Sequence, residues 1–208
     1  QKELAVLEVL HKSLESAVSV RAIEINDSDR LTYVKPLQLI TDKPVLYVCN
    51  VDESAAASGN VYVDQVKTTV ADENAQVLVL AVATEADINE LETFEERELF
   101  LQDLGLDEPG AAKLIRSAYK LLNLETYFTA GEKEVRAWTI PAGATAPQSA
   151  GVIHTDFEKG FIRAEVISYA DYDIFGSEQK AKEAGKARVE GKDYIVQDGD
   201  VMHFRFNV

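Results

Sequence analysis

This sequence holds one cysteine, one methionine, one tryptophan and three histidines in 208 residues. The single thiol, Cys49, closes no internal disulfide, and inside an apolar run it reads as a packed core residue. Zinc sites need three or four ligands, and His11, His154 and His203 have no ligand spacing among them. No Ser/His/Asp or Cys/His set assembles either, so no catalytic residue and no metal ligand is assigned. No apolar run approaches the ~18 residues that suggest a membrane span, and no signal peptide is visible. These absences argue against a membrane partner and point to the cytoplasm. Basic residues are the minority, 21 Lys and Arg against 36 Asp and Glu, for a net charge of −15. A non-specific nucleic-acid binder would carry the opposite balance. The acidity is uneven, with 11 basic and 22 acidic residues in 1 to 124 but 10 and 14 in 125 to 208. Contact with RNA would need a local basic patch, for which Lys180, Lys182, Lys186, Arg188 and Lys192 are candidates; a solvated helix face explains that cluster equally well.

What is present is a globular composition, 46% apolar and 27% charged, long enough for one or two domains. The stretch from Pro44 to Glu53 organises the rest. Val45 to Cys49 is an apolar run that reads as a strand buried on both faces, with Asn50, Val51, Asp52 and Glu53 at its carboxyl end. That is where open α/β sheets bind ligands. A loop of small residues, a helix near 61 to 72 and a second apolar strand, Val77 to Val82, complete a right-handed βαβ unit.

Upstream, Leu4, Leu7, Leu10, Leu14 and Val18 recur at steps of three and four, which predicts an amphipathic helix over 2 to 21. Its apolar seam needs a partner that the first forty residues do not obviously supply. Residues 28 to 40 look like a second helix, kinked or ended by Pro36. Beyond the second strand, helices are expected near 85 to 91, 94 to 103 and 109 to 122. Thr84 with Asp87, Thr93 with Glu96, and Asp107 are their caps, and the last buries Leu114, Ile115, Ala118, Leu121 and Leu122. From Glu125 the pattern turns to strands. Tyr127-Phe128 and Val135 to Ile140 flank the hairpin signal Gly131-Glu132-Lys133, and Thr155 with Glu158 opens a short helix ending near Gly160. Ile162 to Ile167 is a strand, Ser177 to Gly185 a helix, and Asp193 to Val196 and Val201 to Phe206 the last strands.

Four groups of residues carry a resemblance. Asn50-Val51-Asp52-Glu53 stands where P-loop GTPases have N-K-x-D, with Val51 in place of Lys and Glu53 in place of Asp. Phe128-Thr129-Ala130-Gly131 with Glu134 to Ile140, then Ala146-Pro147-Gln148, Ala150-Gly151 and His154 to Phe161, closely resemble the TGS domain of the YchF/Obg-like ATPase family. The closing Asp193-Tyr194-Ile195-Val196 and Asp198-Gly199-Asp200 match too, so the resemblance covers nearly the whole chain. It implies an α/β protein in three parts. Residues 1 to 25 would be the returning helix of an α-helical arm, 26 to 124 part of a doubly wound P-loop domain, and 125 to 208 a β-grasp, ubiquitin-like TGS domain.

The resemblance also implies a purine site. Asn50, Val51 and Glu53 match the family's base-recognition motif, and Ala81, Val82 and Ala83 occupy the place of the fifth G motif, whose backbone amide faces the base. ATP or GTP would be the ligand. No G-x-x-x-x-G-K-[ST] is present, so Mg²⁺ and the phosphates would be held by a segment upstream of Gln1. The expectation is the carboxyl-terminal part of a translation-associated ATPase that engages the ribosome or RNA through its TGS domain and arm, inactive in hydrolysis by itself. The motif His154, Asp156, Phe157 and Lys159 would form a partner surface. The rival reading is a standalone TGS module that binds RNA or protein without nucleotide.

Overall fold

The leucine spacing at the amino end folds as one amphipathic helix, α1 (Lys2–Glu15), shorter than the 2 to 21 pattern predicts. Ala17 stops it, with φ at 57° in the left-handed region. The N–H of Val18 reaches the carbonyl of Ser13 and that of Ala17 the carbonyl of Leu14, a Schellman closure with alanine where glycine is usual. The computed structural model describes every residue except Asn74, Glu132, Lys133 and Val208. The chain divides into two units, Gln1–Leu121 and Leu122–Val208.

In the first unit the apolar seam of α1 finds part of its partner nearby, against expectation. Leu10 is buried with Val20 and Val34, and Val6, Ile23, Ile25 and Leu39 pack around them. Leu4, Leu7, Leu14 and Val18 stay exposed. The helix expected over 28 to 40 is instead a chain of unlike turns. An α turn, α2 (Asp27–Asp29), runs into a π turn at Arg30–Val34 and a 3-10 turn at Lys35–Leu37, and Gln38 is left-handed. Pro36 has no N–H to donate and its ring crowds the carbonyl four residues back, so the helix widens and then ends.

Strand β1 (Leu46–Asn50), helix α3 (Val61–Thr69) and strand β2 (Gln76–Leu80) follow, the strands parallel and in register from Leu46 with Gln76 to Asn50 with Leu80. Asn60 caps α3, its side chain accepting from the N–H groups of Tyr62 and Val63. The expectation of two buried faces fails for β1. In a two-stranded sheet both strands are edges, and Val48 at the strand's centre is 45% exposed.

The second strand also ends earlier than predicted. Val82 is the first residue of helix α4 (Val82–Glu90), so Thr84 lies within the helix, 2% exposed, and does not cap it. Helix α5 (Phe94–Asp103) opens on the predicted capping box of Thr93 and Glu96. At helix α6 (Gly110–Leu121) the capping carboxylate is not Asp107 but Glu85, which accepts from the N–H of Gly110 at 2.6 Å and of Ala111 at 3.1 Å. Gly110 allows this approach, since a Cβ there would collide with Leu80 Cδ2 and the Glu85 carboxylate. Of the apolar face predicted for α6, Leu114, Ala118 and Leu121 are half-buried, while Ile115 and the following Leu122 are exposed.

The second unit is built on a five-stranded sheet. Strands β3 (Leu124–Ala130) and β4 (Val135–Pro141) form the expected antiparallel hairpin; of its predicted connection, Glu132 and Lys133 lie outside the described residues. Helices α7 (Ala146–Ile153) and α8 (Thr155–Lys159) lead to β5 (Phe161–Ser168), then α9 (Tyr169–Phe175), α10 (Glu178–Glu183), β6 (Arg188–Glu190) and β7 (Asp200–Phe206). The last strand is central, parallel to β3 and antiparallel to β5. One core gathers Tyr127, Ile140, Ala150, Val166, Met202 and Phe204. The Tyr127 hydroxyl, fully buried, donates to the carbonyl of Ser149 at 2.9 Å.

Two predictions fail here for local reasons. Asp193 to Val196 is not a strand: only Ile195 makes a bridge, to Thr145, because Tyr194 donates its hydroxyl to Asp200 at 2.6 Å and holds the segment as a loop. The strand in that region is β6. The cap of α8 is not Thr155 but His154, whose Nδ1 accepts from the Asp156 N–H at 3.2 Å.

Candidate base-recognition site and partner surface

The carboxyl ends of β1 and β2 lie side by side because the two strands are parallel. Both chains leave the sheet there, β1 through Asn50 into Val51 and β2 through Leu80 into Ala81. The Val51 N–H donates to the Leu80 carbonyl at 2.8 Å, extending the ladder one step past the last pair. The Asn50 side chain then crosses between the segments, its Oδ1 accepting from the N–H of Val82 at 3.0 Å. Val82 opens α4, and its preceding residue, Ala81, has no side chain to cap a helix. Asn50 therefore supplies from a neighbouring strand the acceptor that an N-cap would normally give.

This bond brings Asn50, Val51, Ala81, Val82 and Ala83 together and orients the Asn50 amide. With Oδ1 committed, its Nδ2 presents donors to whatever lies over the strand ends. Glu53 follows Asp52, which precedes the 3-10 turn Glu53–Ala55 without a side-chain cap, and the Glu53 side chain is exposed. Val51 is half-buried, Ala81 buried, and Val82 and Ala83 exposed. The Val82 amide is thus already paired with Asn50.

Among the described residues, no group of three or more His, Cys, Asp or Glu side chains could hold a metal ion. No described helix is long and apolar enough to cross a membrane.

The second predicted surface is in the other unit. His154 and Asp156 meet through the helix cap, and the His154 ring lies 6.1 Å from that of Phe157. Phe157 in turn stacks on Phe206 at 3.8 Å between ring centres. Lys159, the last residue of α8, is exposed. The basic cluster is mostly engaged with acids: Lys182 with Glu165 and Glu178, Lys186 with Asp171, Arg188 with Glu190 and Asp200. It offers little free positive charge. Missed from sequence were Glu85 and the arginines Arg163 and Arg205. The alternation Arg163-Ala164-Glu165-Val166 and Met202-His203-Phe204-Arg205 was the available signal for the latter.

Residues 124–207 match the YchF-GTPase_C family, described as "Protein of unknown function (DUF933)". Over 206 residues the chain is 57% identical to the ribosome-binding ATPase YchF of Pasteurella multocida (strain Pm70), a match spanning 99% of this chain and 56% of that protein. The chain belongs to the YchF family. Its counterpart in Bacillus subtilis (strain 168), also named ribosome-binding ATPase YchF, is 51% identical over 208 residues, again 99% of this chain and 56% of that one. The solved YchF GTPase of Schizosaccharomyces pombe superposes with a TM-score of 0.83 at 34% identity, covering 97% of this chain and 53% of that chain. The chain thus spans about half the length of the YchF relatives it matches, and its fold is the mixed α/β fold of the YchF GTPase.

Proposed function

We propose that this chain is the carboxyl-terminal portion of a translation-associated, ribosome-binding P-loop ATPase of the YchF type, and that its first unit holds the purine base. In this reading residues 1 to 25 belong to a helical arm, 26 to 124 to the nucleotide-binding domain, and 125 to 208 to a TGS domain. The strand order β4-β3-β7-β5-β6, with its central strand parallel to the first, supports a β-grasp for the TGS domain. The observation that carries the base site is the bond from Val82 N–H to Asn50 Oδ1, which ties the two purine-facing segments into one surface.

Each residue then has a role. The Asn50 Nδ2 donates to the base's N7, an acceptor that adenine and guanine share, so it selects a purine without choosing between them. The choice falls to Glu53. An Asp in this motif accepts two hydrogen bonds from guanine, and charge-assisted bonds of that kind contribute about 1.5 to 3 kcal/mol each. Glu53 is one methylene longer and overshoots that geometry, while Val51 lacks the aliphatic stem of a lysine along the ring. Losing one such bond weakens guanine binding about tenfold or more, and adenine ceases to be rejected. Phosphates and Mg²⁺ would be held outside residues 1 to 208, and the 208-residue chain should not hydrolyse nucleotide.

Titrating ATP and GTP into the longer protein, with and without Glu53→Asp, tests the reading. ATP should bind at least as tightly as GTP, and Glu53→Asp should shift preference toward GTP. A strong GTP preference in the unmodified protein places the base elsewhere. The rival, an interaction module with no nucleotide role, draws on the closed core of the second unit; failure of the longer protein to bind either nucleotide would favour it.

A further inference from the structure

The two edges of the second unit's sheet are unlike. β6 is 3 residues long, whereas β4 has 7 and, among the described residues, pairs with β3 alone. The ends of the hairpin decide which backbone groups of β4 stay open. The Gly131 N–H donates to the Glu134 carbonyl at 2.9 Å and the Ala142 N–H to the Asn123 carbonyl at 2.8 Å, with an unbroken register between them. Bonded and non-bonded pairs alternate in an antiparallel ladder, so Arg136, Trp138 and Ile140 spend their backbone groups on β3. Val135 and Ala137 turn their N–H and C=O to the open side. Pro141 has the same phase and no N–H, which blunts the carboxyl end of this edge and leaves its amino half open.

Beside the blunted end lies a groove of about 460 Å³. Ile140, Pro141 and Ala142 line it from the strand, Gln148 and Val152 from one side of α7, and Glu158 from α8. Toward the other end of β4 the Arg136 guanidinium lies 4.1 Å from the centre of the Trp138 ring, whose Nε1–H donates to Thr129 Oγ1 at 2.9 Å. Arg136, Trp138 and Ile140 alternate onto one face of the strand, the face on which Ile140 joins the core and Trp138 packs against it. Cation, ring and groove therefore share one side of the sheet. Arg136 and Glu158 are both exposed, and neither is bonded to an oppositely charged side chain among the described residues.

We propose that β4 accepts an extended peptide of another protein as an added antiparallel strand, the orientation with the more stable pairing per residue. Ladder bonds to Val135 and Ala137 supply affinity, and alternate side chains supply specificity. In that orientation the peptide residues opposite Ala142, Ile140, Trp138 and Arg136 face the groove side in turn. Charge complementarity makes the first basic, to meet Glu158, and the last acidic, to meet Arg136; the two between are apolar. A second copy of this chain fits less well. A stable interface takes about 20 to 30 residues a side, β4 offers 7, and two chains of net charge −15 repel. The surface lies wholly in the second unit and stands whether or not the first unit holds a purine.

The test uses the 208-residue chain and fluorescein-labelled Lys-Thr-Ile-Thr-Val-Thr-Glu, with binding read by fluorescence anisotropy. Ala137→Pro removes the outward N–H and no bond to β3, so it should weaken binding about tenfold or more, while Ala137→Val should leave it unchanged. Should Ala137→Pro melt at a lower temperature, a peptide N-methylated at its last Thr, opposite Ala137, makes the same test on the unmodified protein and should bind about tenfold more weakly. Glu158→Gln should weaken binding about threefold, and should have no effect on a peptide with norleucine in place of Lys. The peptide of reversed sequence should bind more weakly than the original. No binding by the unmodified chain, full binding of the N-methylated peptide, or equal binding of the reversed peptide would overturn the inference. So would a dimer, seen by sedimentation, that Ala137→Pro abolishes and the peptide fails to disperse, since that edge would then belong to a second copy.

Discussion

The two units use similar strand sequences and reach opposite degrees of closure. Val48 sits mid-strand in β1 and Val166 mid-strand in β5; the first is 45% exposed and the second 0%. Both are β-branched residues in apolar runs, so propensity does not separate them. What differs is the number of neighbours. β5 has strands on both sides and a face covered by α7, and the second unit's core is one continuous cluster. β1 has one neighbour, and the first unit leaves Ile40, Phe94, Leu99 and Ile115 each at least 60% exposed. A strand's burial is thus a property of the sheet around it, and a sheet needs more than two strands before either can be internal.

The largest expected effect breaks the chain at the boundary. Expressed alone, residues 122–208 should unfold in one cooperative transition and bind little hydrophobic dye. Residues 1–121 should bind dye strongly and melt over a broad range, since apolar side chains and strand edges stay uncovered. A sharp transition in 1–121 beside a dye-binding 122–208 would reverse the comparison.

Point substitutions sharpen the same contrast. Tyr127 is fully buried, its ring meets Phe204 edge-on at 5.7 Å, and its hydroxyl is satisfied by Ser149. Tyr127→Ala should cost the second unit about 3 to 5 kcal/mol, read as a fall in its denaturation midpoint. Val48→Ala, at a half-covered position, should cost well under that, about 1 kcal/mol. Equal losses at the two sites would mean that the first unit is as tightly packed as the second.

The elements were legible where a local cause acts alone. The runs of β1 and β3, the capping box at Thr93 and the glycine stop at Gly185, with φ at 72°, are each decided by neighbours in sequence. The errors occur where a distant group intervenes. Val82 extends the apolar run of β2 and so reads as strand, yet a side chain 32 positions away takes its N–H and starts a helix. Tyr194 and Val196 alternate like a strand, but Asp200 pins the tyrosine in a loop. Likewise Asn50 and Glu53 could be picked out by their place after a strand, whereas the partner of Asn50 could not. The insertion of β7 between β3 and β5 is a non-local pairing with no short-range signature.

The bond at Asn50 offers a smaller and more selective test within the first unit. Asn50→Ala removes the acceptor at the start of α4 and should cost about 0.5 to 2 kcal/mol, the range for a lost cap. Asn50→Asp keeps an acceptor and adds negative charge at a helix N-terminus, which is favourable, so stability should hold. It deletes the Nδ2 donors, however, and purine affinity in the longer protein should fall. If Asn50→Asp binds nucleotide as well as the unmodified protein, Asn50 serves the fold and not the base.

The smallest expected effect is a pH dependence; carboxylates lie below their ordinary values in both units, and in the second the main one is Glu165. Glu165 accepts from Lys182 at 2.7 Å and from Arg205 at 3.1 Å, and the Lys182 bond is the main cause that brings its carboxyl down to about 2. An unperturbed glutamate titrates near about 4.3. Because the folded value is the lower one, the ionised form stabilises the fold. That contribution is complete above the unfolded value and disappears as pH falls through about 2. The cluster is partly open to solvent, so its contribution is about 1 kcal/mol rather than the full equivalent of the shift. Urea midpoints of residues 122–208 should therefore fall between pH 4 and 2, and Glu165→Gln should flatten that fall. It should not abolish it, because Asp171 is also held below its ordinary value, first by Ser168 and then by Lys186. A Glu165→Gln chain that loses stability over the same window to the same extent would show that the Lys182 and Arg205 contacts do not stabilise the sheet.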